Sequence, residues 1–174
     1  MRTTIGVMLC AAALASGCGT VSGQAEPENP TASDPAFDPC EDIPDEALRE
    51  VGMNPATETR DILGVHQPGW RICGWNSTTR DFLTVYSTNF SLDDVRRNPD
   101  FTGFEAVVVD GRDGMSFQEV VDAQAALCDV ATSVAGKAVM FSLEATAPLP
   151  PSPDRDVCAD VRELTARLLP HIPE

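Results

Sequence analysis

The sequence predicts an α+β fold: an antiparallel β-sheet of about six strands, packed by a helix from each end of the domain and stapled by two disulfides. Three observations predict it. Short runs rich in β-branched and aromatic residues follow one another through the middle of the chain, joined by turn residues rather than by long helices. Helical patterns stand at the two ends of that region. Four cysteines lie within it, an even number.

The first element is a short helix over 43–52. Pro44 suits a first turn, Asp45 and Glu46 suit the positive end of the helix dipole, and Gly52 suits the exit. Ile43, Ala47, Leu48 and Val51 share one face. A strand follows over 70–76, a turn over 76–81, and a second strand over 82–89. Ser91, with Asp93 and Asp94 behind it, opens a short helix that Pro99 stops. A third strand covers 105–109, a tight turn 110–114, and a fourth strand 115–120. Residues 127–133 and 138–144 form a further hairpin, its second arm alternating Val139, Phe141 and Leu143 with smaller or polar neighbours. After a proline-rich break, 154–169 is the clearest helix. Val157, Val161, Leu164 and Leu168 recur at the spacing of one buried stripe.

Cys40, Cys73, Cys128 and Cys158 can pair in three ways. Cys40–Cys73 and Cys128–Cys158 are expected, because each closes one local loop. A zinc site is not expected: there is no C-x-x-C pair, and no Cys or His neighbours another at ligand spacing. These cysteines are read as structural, not catalytic.

Composition sets the limits on function. Twelve basic residues stand against 27 acidic ones in 174, a formal net charge of −15. Such a chain has no cationic surface with which to displace counterions from nucleic acid. Its 43% hydrophobic share is too high for a wholly disordered polymer. No apolar run approaches the roughly 20 residues of a membrane-spanning helix.

The N-terminus reads in export order: Arg2, an uncharged and mostly apolar run over 5–14, then small residues. Leu14-Ala15-Ser16-Gly17-Cys18 resembles a lipobox, with Cys18 as the residue acylated after cleavage. Free secretion after ordinary cleavage is the alternative. Residues 1–17 are thus expected as a signal peptide and 18–36 as an acylated, proline-rich tether. The single domain is expected over 37–174. As a coil the tether reaches roughly 25 Å, and extended about 55 Å. Nine acids lie between Glu26 and Glu50 against Arg49 alone. They read either as a solvated stretch that repels anionic lipid or as a docking strip for a basic partner.

Several of these segments together resemble the actinobacterial exported lipoproteins classed as domain of unknown function 3558. The likeness rests on Phe37-Asp38-Pro39-Cys40, Gly69-Trp70-Arg71-Ile72-Cys73-Gly74-Trp75 and Tyr86-Ser87-Thr88-Asn89. It extends through Gly111-Arg112-Asp113, Cys128-Asp129-Val130 and the helix holding Val157 and Cys158. The resemblance implies attachment at Cys18 and a place on the outer face of the cytoplasmic membrane. It implies no catalytic residues. The element order is also similar to PsbP-like α-β-α sandwiches, an analogy of fold alone.

Little in the sequence points to catalysis. His66 and His171 lack a Ser or Cys nucleophile context, and no G-x-S-x-G elbow occurs. No phosphate-cradling glycine loop is present. The turn at 110–114 lacks the acids of a calcium loop. Trp70, Trp75 and Tyr86 stand out, because aromatics make up only 6% of the chain and these cluster near the first two strands. They are read as core packing or as contacts to a ligand or partner. The expectation is a monomeric, non-enzymatic binding module with no cofactor, no metal and no nucleic-acid partner. The alternatives are an envelope hydrolase using His66 and a structural subunit of an envelope complex. An apolar groove beside Trp70 and Tyr86 favours a lipid-like ligand; a flat polar face favours a protein partner.

Overall fold

The structure, a computed structural model, describes residues 34–122, 126–146 and 151–173. The expected signal peptide, Cys18 and the tether up to residue 33 lie outside the described residues.

Seven antiparallel strands form one sheet in the order β1-β2-β3-β7-β6-β5-β4. They are β1 (Thr59–Arg60), β2 (Trp70–Asn76), β3 (Asp81–Thr88), β4 (Phe101–Val109), β5 (Arg112–Glu119), β6 (Leu127–Val134) and β7 (Lys137–Ala145). The helices are α1 (Pro39–Asp42), α2 (Asp45–Glu50), α3 (Leu92–Arg97) and α4 (Val157–Leu168). The sheet therefore has seven strands, not about six. The additional one, β1, is a two-residue exposed edge with no alternation to read.

Local chemistry explains most boundaries. The helix expected over 43–52 is shorter, α2 at Asp45–Glu50, and a separate four-residue helix, α1, precedes it. The Asp38 carboxylate caps α1 by accepting from the Cys40 N–H at 3.0 Å, and Pro44 then sits extended at the N-cap of α2. Ser91 and Asp94 make a reciprocal capping box on α3. Those bonds and Arg97 hold the Asp94 carboxyl down to about 2. The β4–β5 hairpin turns on Asp110 and Gly111, both in the left-handed region, so β5 starts three residues earlier than expected.

Side-chain alternation gives the sheet two unlike faces. One buries Cys73, Trp75, Leu83, Val85, Val130, Val139, Phe141 and Leu143 beneath α1, α2 and α4. All four residues of the expected α4 stripe are buried there. Both terminal helical regions thus cover the same face. Arg155 fixes the start of α4 to β3, reaching Asp81 and Asp160 at 2.8 Å each. Arg112 closes the far end, donating to the carbonyls of Leu169, Ile172 and Pro173.

The disulfides are Cys40–Cys73 and Cys128–Cys158, the expected pairing. The first ties α1 to β2 and the second ties β6 to α4.

Candidate functional site: an apolar trough on the second sheet face

Among the described residues, α3 covers the second face at one end. There Val95 of α3 packs on Met115, Phe117, Ala131, Ala138 and Met140, with Trp70, Tyr86, Phe101 and Phe104 around them. Across the rest of the face Ile72 and Gly74 of β2 are buried, and Phe82, Thr84 and Tyr86 of β3 are half-buried. Ladder pairing sets Ile72 opposite Tyr86, and Tyr86 opposite Met140. Gly74 lets the Phe82 ring lie over the strand, because a Cβ there would stand 2.5 Å from the ring tip.

A loop over 61–67 overhangs this floor. Under it lies a cavity of about 590 Å³ lined by Ile62, Leu63, Ile72, Gly74, Phe82, Thr84 and Tyr86, among others. A second depression of about 240 Å³ shares Ile62, Ile72 and Tyr86 and adds Trp70, Phe101, Glu119, Asp129 and Met140. A third, about 340 Å³, continues past Trp70 to Phe90, Val95 and Arg97. The depressions adjoin through shared walls, Ile62, Ile72 and Tyr86 between the first and second and Trp70, Phe101 and Met140 between the second and third, and together they are called the trough; the 590 Å³ cavity alone has the volume of a small-molecule site. Trp70 stands edge-on to Tyr86, their ring centres 6.3 Å apart, and tilts toward Phe90 at 5.6 Å.

Charged side chains fasten the overhang. His66 Nε2 lies 3.2 Å from Asp34 and Nδ1 lies 3.5 Å from Asp61. Asp34 also accepts from the Gly69 N–H and pairs with Arg71. Among the described residues, contacts of the domain thus reach back to Asp34, within the segment expected as tether. Arg60, at the end of the large cavity, is surrounded by Asp38, Glu41 and Glu58. Both His66 nitrogens face carboxylates rather than a hydroxyl. His171 is exposed in a closing 3-10 turn.

Trp70 and Tyr86, two of the three expected aromatic site residues, meet in the trough. Trp75 does not join them. It is fully buried on the opposite face, in the core that contains the Cys40–Cys73 disulfide. Five positions separate the two tryptophans, an odd number, so strand alternation turns them to opposite sides. Cys40, Cys73 and Glu58 come close enough to share a cation, but the two sulfurs are bonded to each other and offer no thiolate.

The residue that sequence reasoning missed is Asp129. It sits in the middle of β6, only 5% exposed, and its Oδ2 has no hydrogen-bond partner among the described residues. Burial pushes its carboxyl up to about 7. The Ser142 hydroxyl partly opposes this, and Glu119 and Asp122 add to it. Burial, with Asp129 close by, likewise pushes the Tyr86 phenol up to about 12.

Asp129 makes stability depend on pH. Its folded value lies above the ordinary carboxylate value of about 3.9, so the folded state binds the extra proton between about pH 4 and pH 7. The stability from the protonated form is complete below the unfolded value and is lost as pH rises through 7. Asp129→Asn is therefore expected to melt several degrees above the parent at pH 8, with the gap closing at pH 5. Thermal scans at the two pH values check this; a gap that is the same at both would overturn it.

The fold and this trough define a class: a disulfide-stapled α+β domain whose second sheet face carries an aromatic-lined groove among the described residues. The chain belongs to the family described as protein of unknown function DUF3558, whose family model matches residues 13–171. No curated protein and no solved structure matches it. The analogy to PsbP-like sandwiches thus rests on element order alone.

Proposed function

We propose that this protein is a lipid-anchored module of the cell envelope that binds a small lipid-like ligand in the trough, without catalysis. One observation carries the reading: Trp70 and Tyr86 border an apolar groove, not a flat polar face. Ile72, Phe82, Tyr86 and Met140 line it, giving an aliphatic or aromatic body a surface from which water is excluded. The engagement of both His66 nitrogens by Asp34 and Asp61 favours binding over hydrolysis, since neither nitrogen is placed to activate a nucleophile. The order of Arg2, the apolar run and Cys18 supports export and acylation.

Two variants test this. Thr84 is half-buried on the trough floor, and Thr84→Trp would fill the large cavity while keeping a residue type that strands favour. Lipid extracted from the full chain purified from membranes is expected to contain a retained amphiphile that the Thr84→Trp protein lacks. Equal lipid content in the two preparations would count against the trough. Cys18→Ser is expected to move the protein from the membrane fraction to the soluble one. Continued sedimentation with membranes, after cleavage at the same bond, would count against the anchor.

A further inference from the structure

We propose that the trough selects an amphiphile with a cationic head, an amino or ammonium group seated among Trp70, Tyr86, Glu119 and Asp129. This rests on the trough being a ligand site and adds what kind of ligand it takes.

The smaller depression lies at the centre of the trough. Its lining contains two carboxylates, Glu119 and Asp129, and no lysine or arginine among the described residues. Phe117 and Asp129 pair across the β5–β6 ladder, which puts Asp129 on the same face as Tyr86 and Met140. Its Oδ2 is sealed from solvent and unpartnered among the described residues. A buried carboxylate without a partner is costly, and a charge of opposite sign is the group that offsets that cost most fully. Glu119, half-buried beside it, supplies a second negative charge.

The rings supply the rest of the recognition. Trp70, Tyr86 and Phe101 border the same depression, and aromatic faces attract a desolvated cation. An anionic head would meet two carboxylates. A neutral head could satisfy Asp129 in its protonated form but would leave Glu119 without a counter-charge. The chain of the ligand has the larger cavity beside it, over Ile72, Gly74 and Phe82. Arg60 at that cavity's margin is the one basic group in its lining among the described residues. It is already neutralised by Asp38, Glu41 and Glu58, so it does not invite an anion. The chain's net charge of −15 also raises the local concentration of cations over anions.

The test uses the full chain carrying Cys18→Ser, with disulfides formed, so that no detergent competes. It is titrated with decyltrimethylammonium, decanoate and decyl maltoside below their micellar concentrations, followed by tryptophan fluorescence. The cation is expected to bind at least about tenfold more tightly than either other probe. Asp129→Asn combined with Glu119→Gln is expected to remove that preference. Should the double variant misfold, Glu119→Gln alone is expected to weaken the cation about threefold and leave decyl maltoside unchanged. If all three probes bind equally and Thr84→Trp abolishes them all, the cationic selectivity is wrong and the trough survives. Tighter binding of decanoate overturns the proposal in the same way. If no probe binds, the trough reading and this one fall together.

Discussion

Replacing Trp75 by alanine is expected to cost about 3–5 kcal/mol of folding stability, among the largest effects of any single truncation in the core. Trp75 is fully buried and is the largest of the fully buried side chains. It lies on β2 between the sheet and the layer of α1, α2 and α4, in the same cluster as Leu48, Leu83, Phe141 and Leu168. Neighbours on two layers cannot close the space an indole vacates. For a domain of this size the loss corresponds to a melting temperature lower by roughly 10–15 °C. Urea unfolding checks it, with the midpoint shifted and the slope unchanged. Trp75→Phe is expected to be much milder. The indole Nε1 has no hydrogen-bond partner among the described residues, so phenylalanine forfeits volume but no polar contact. Neither change is expected to alter ligand affinity of the folded fraction, because Trp75 faces away from the trough. A Trp75→Phe protein that stays folded but loses the ligand would place the site on the wrong face.

The contrast between Trp70 and Trp75 shows how much of this molecule is legible in its sequence. β2 coincides residue for residue with the expected strand, because its aromatic and β-branched content is bounded by Gly69 and the turn after Asn76. The α4 stripe is equally clear, since a 3.6-residue period over twelve residues admits few other readings. Its start shifts from 154 to Val157 because Arg155 is drawn to Asp81 and Asp156 serves as the cap. The disulfide pairing follows from loop locality. What the residues alone do not reveal is which strands become neighbours. β7 inserts between β3 and β6, and that crossover sets Met140 beside Tyr86, with Asp129 lining the same depression. Strand alternation by itself is enough to separate Trp70 from Trp75. Asp129 also stands out in β6 as the one acid, set among Leu127, Cys128, Val130 and Ala131. The overhang over 61–67 has no such signature, because Asp61 and Leu63 adopt left-handed backbone conformations that no sequence pattern announces.

Opening both disulfides is expected to remove most of the domain's net stability. Each closes a loop of comparable length, with sequence separations of 33 and 30, and cross-linking such a loop restricts the unfolded chain by about 3–4 kcal/mol. The two loops do not overlap, so their contributions should add. The sum is comparable to the roughly 5–15 kcal/mol by which ordinary domains are stable at all. The two bonds should differ in what they release. Cys128–Cys158 joins β6 to α4, yet α4 also rests on five buried side chains and on the Arg155 and Arg112 clamps. Cys40–Cys73 holds a four-residue helix that is otherwise docked by buried Phe37 and Pro39 and by the partly exposed pairs of Asp38 and Glu41 with Arg60 and of Asp38 with Arg71. Its loss should therefore loosen the segment from Asp34 to α2, including the contacts that fasten the overhang through His66. Cys40→Ala with Cys73→Ala is expected to weaken ligand binding as well as stability. The matching pair of changes at Cys128 and Cys158 should lower stability by a similar amount and leave the affinity of the folded protein intact. Urea unfolding of the oxidised, reduced and two doubly substituted proteins, with ligand titrations on the last two, separates these effects. A reduced protein as stable as the oxidised one would show that packing alone sustains the fold.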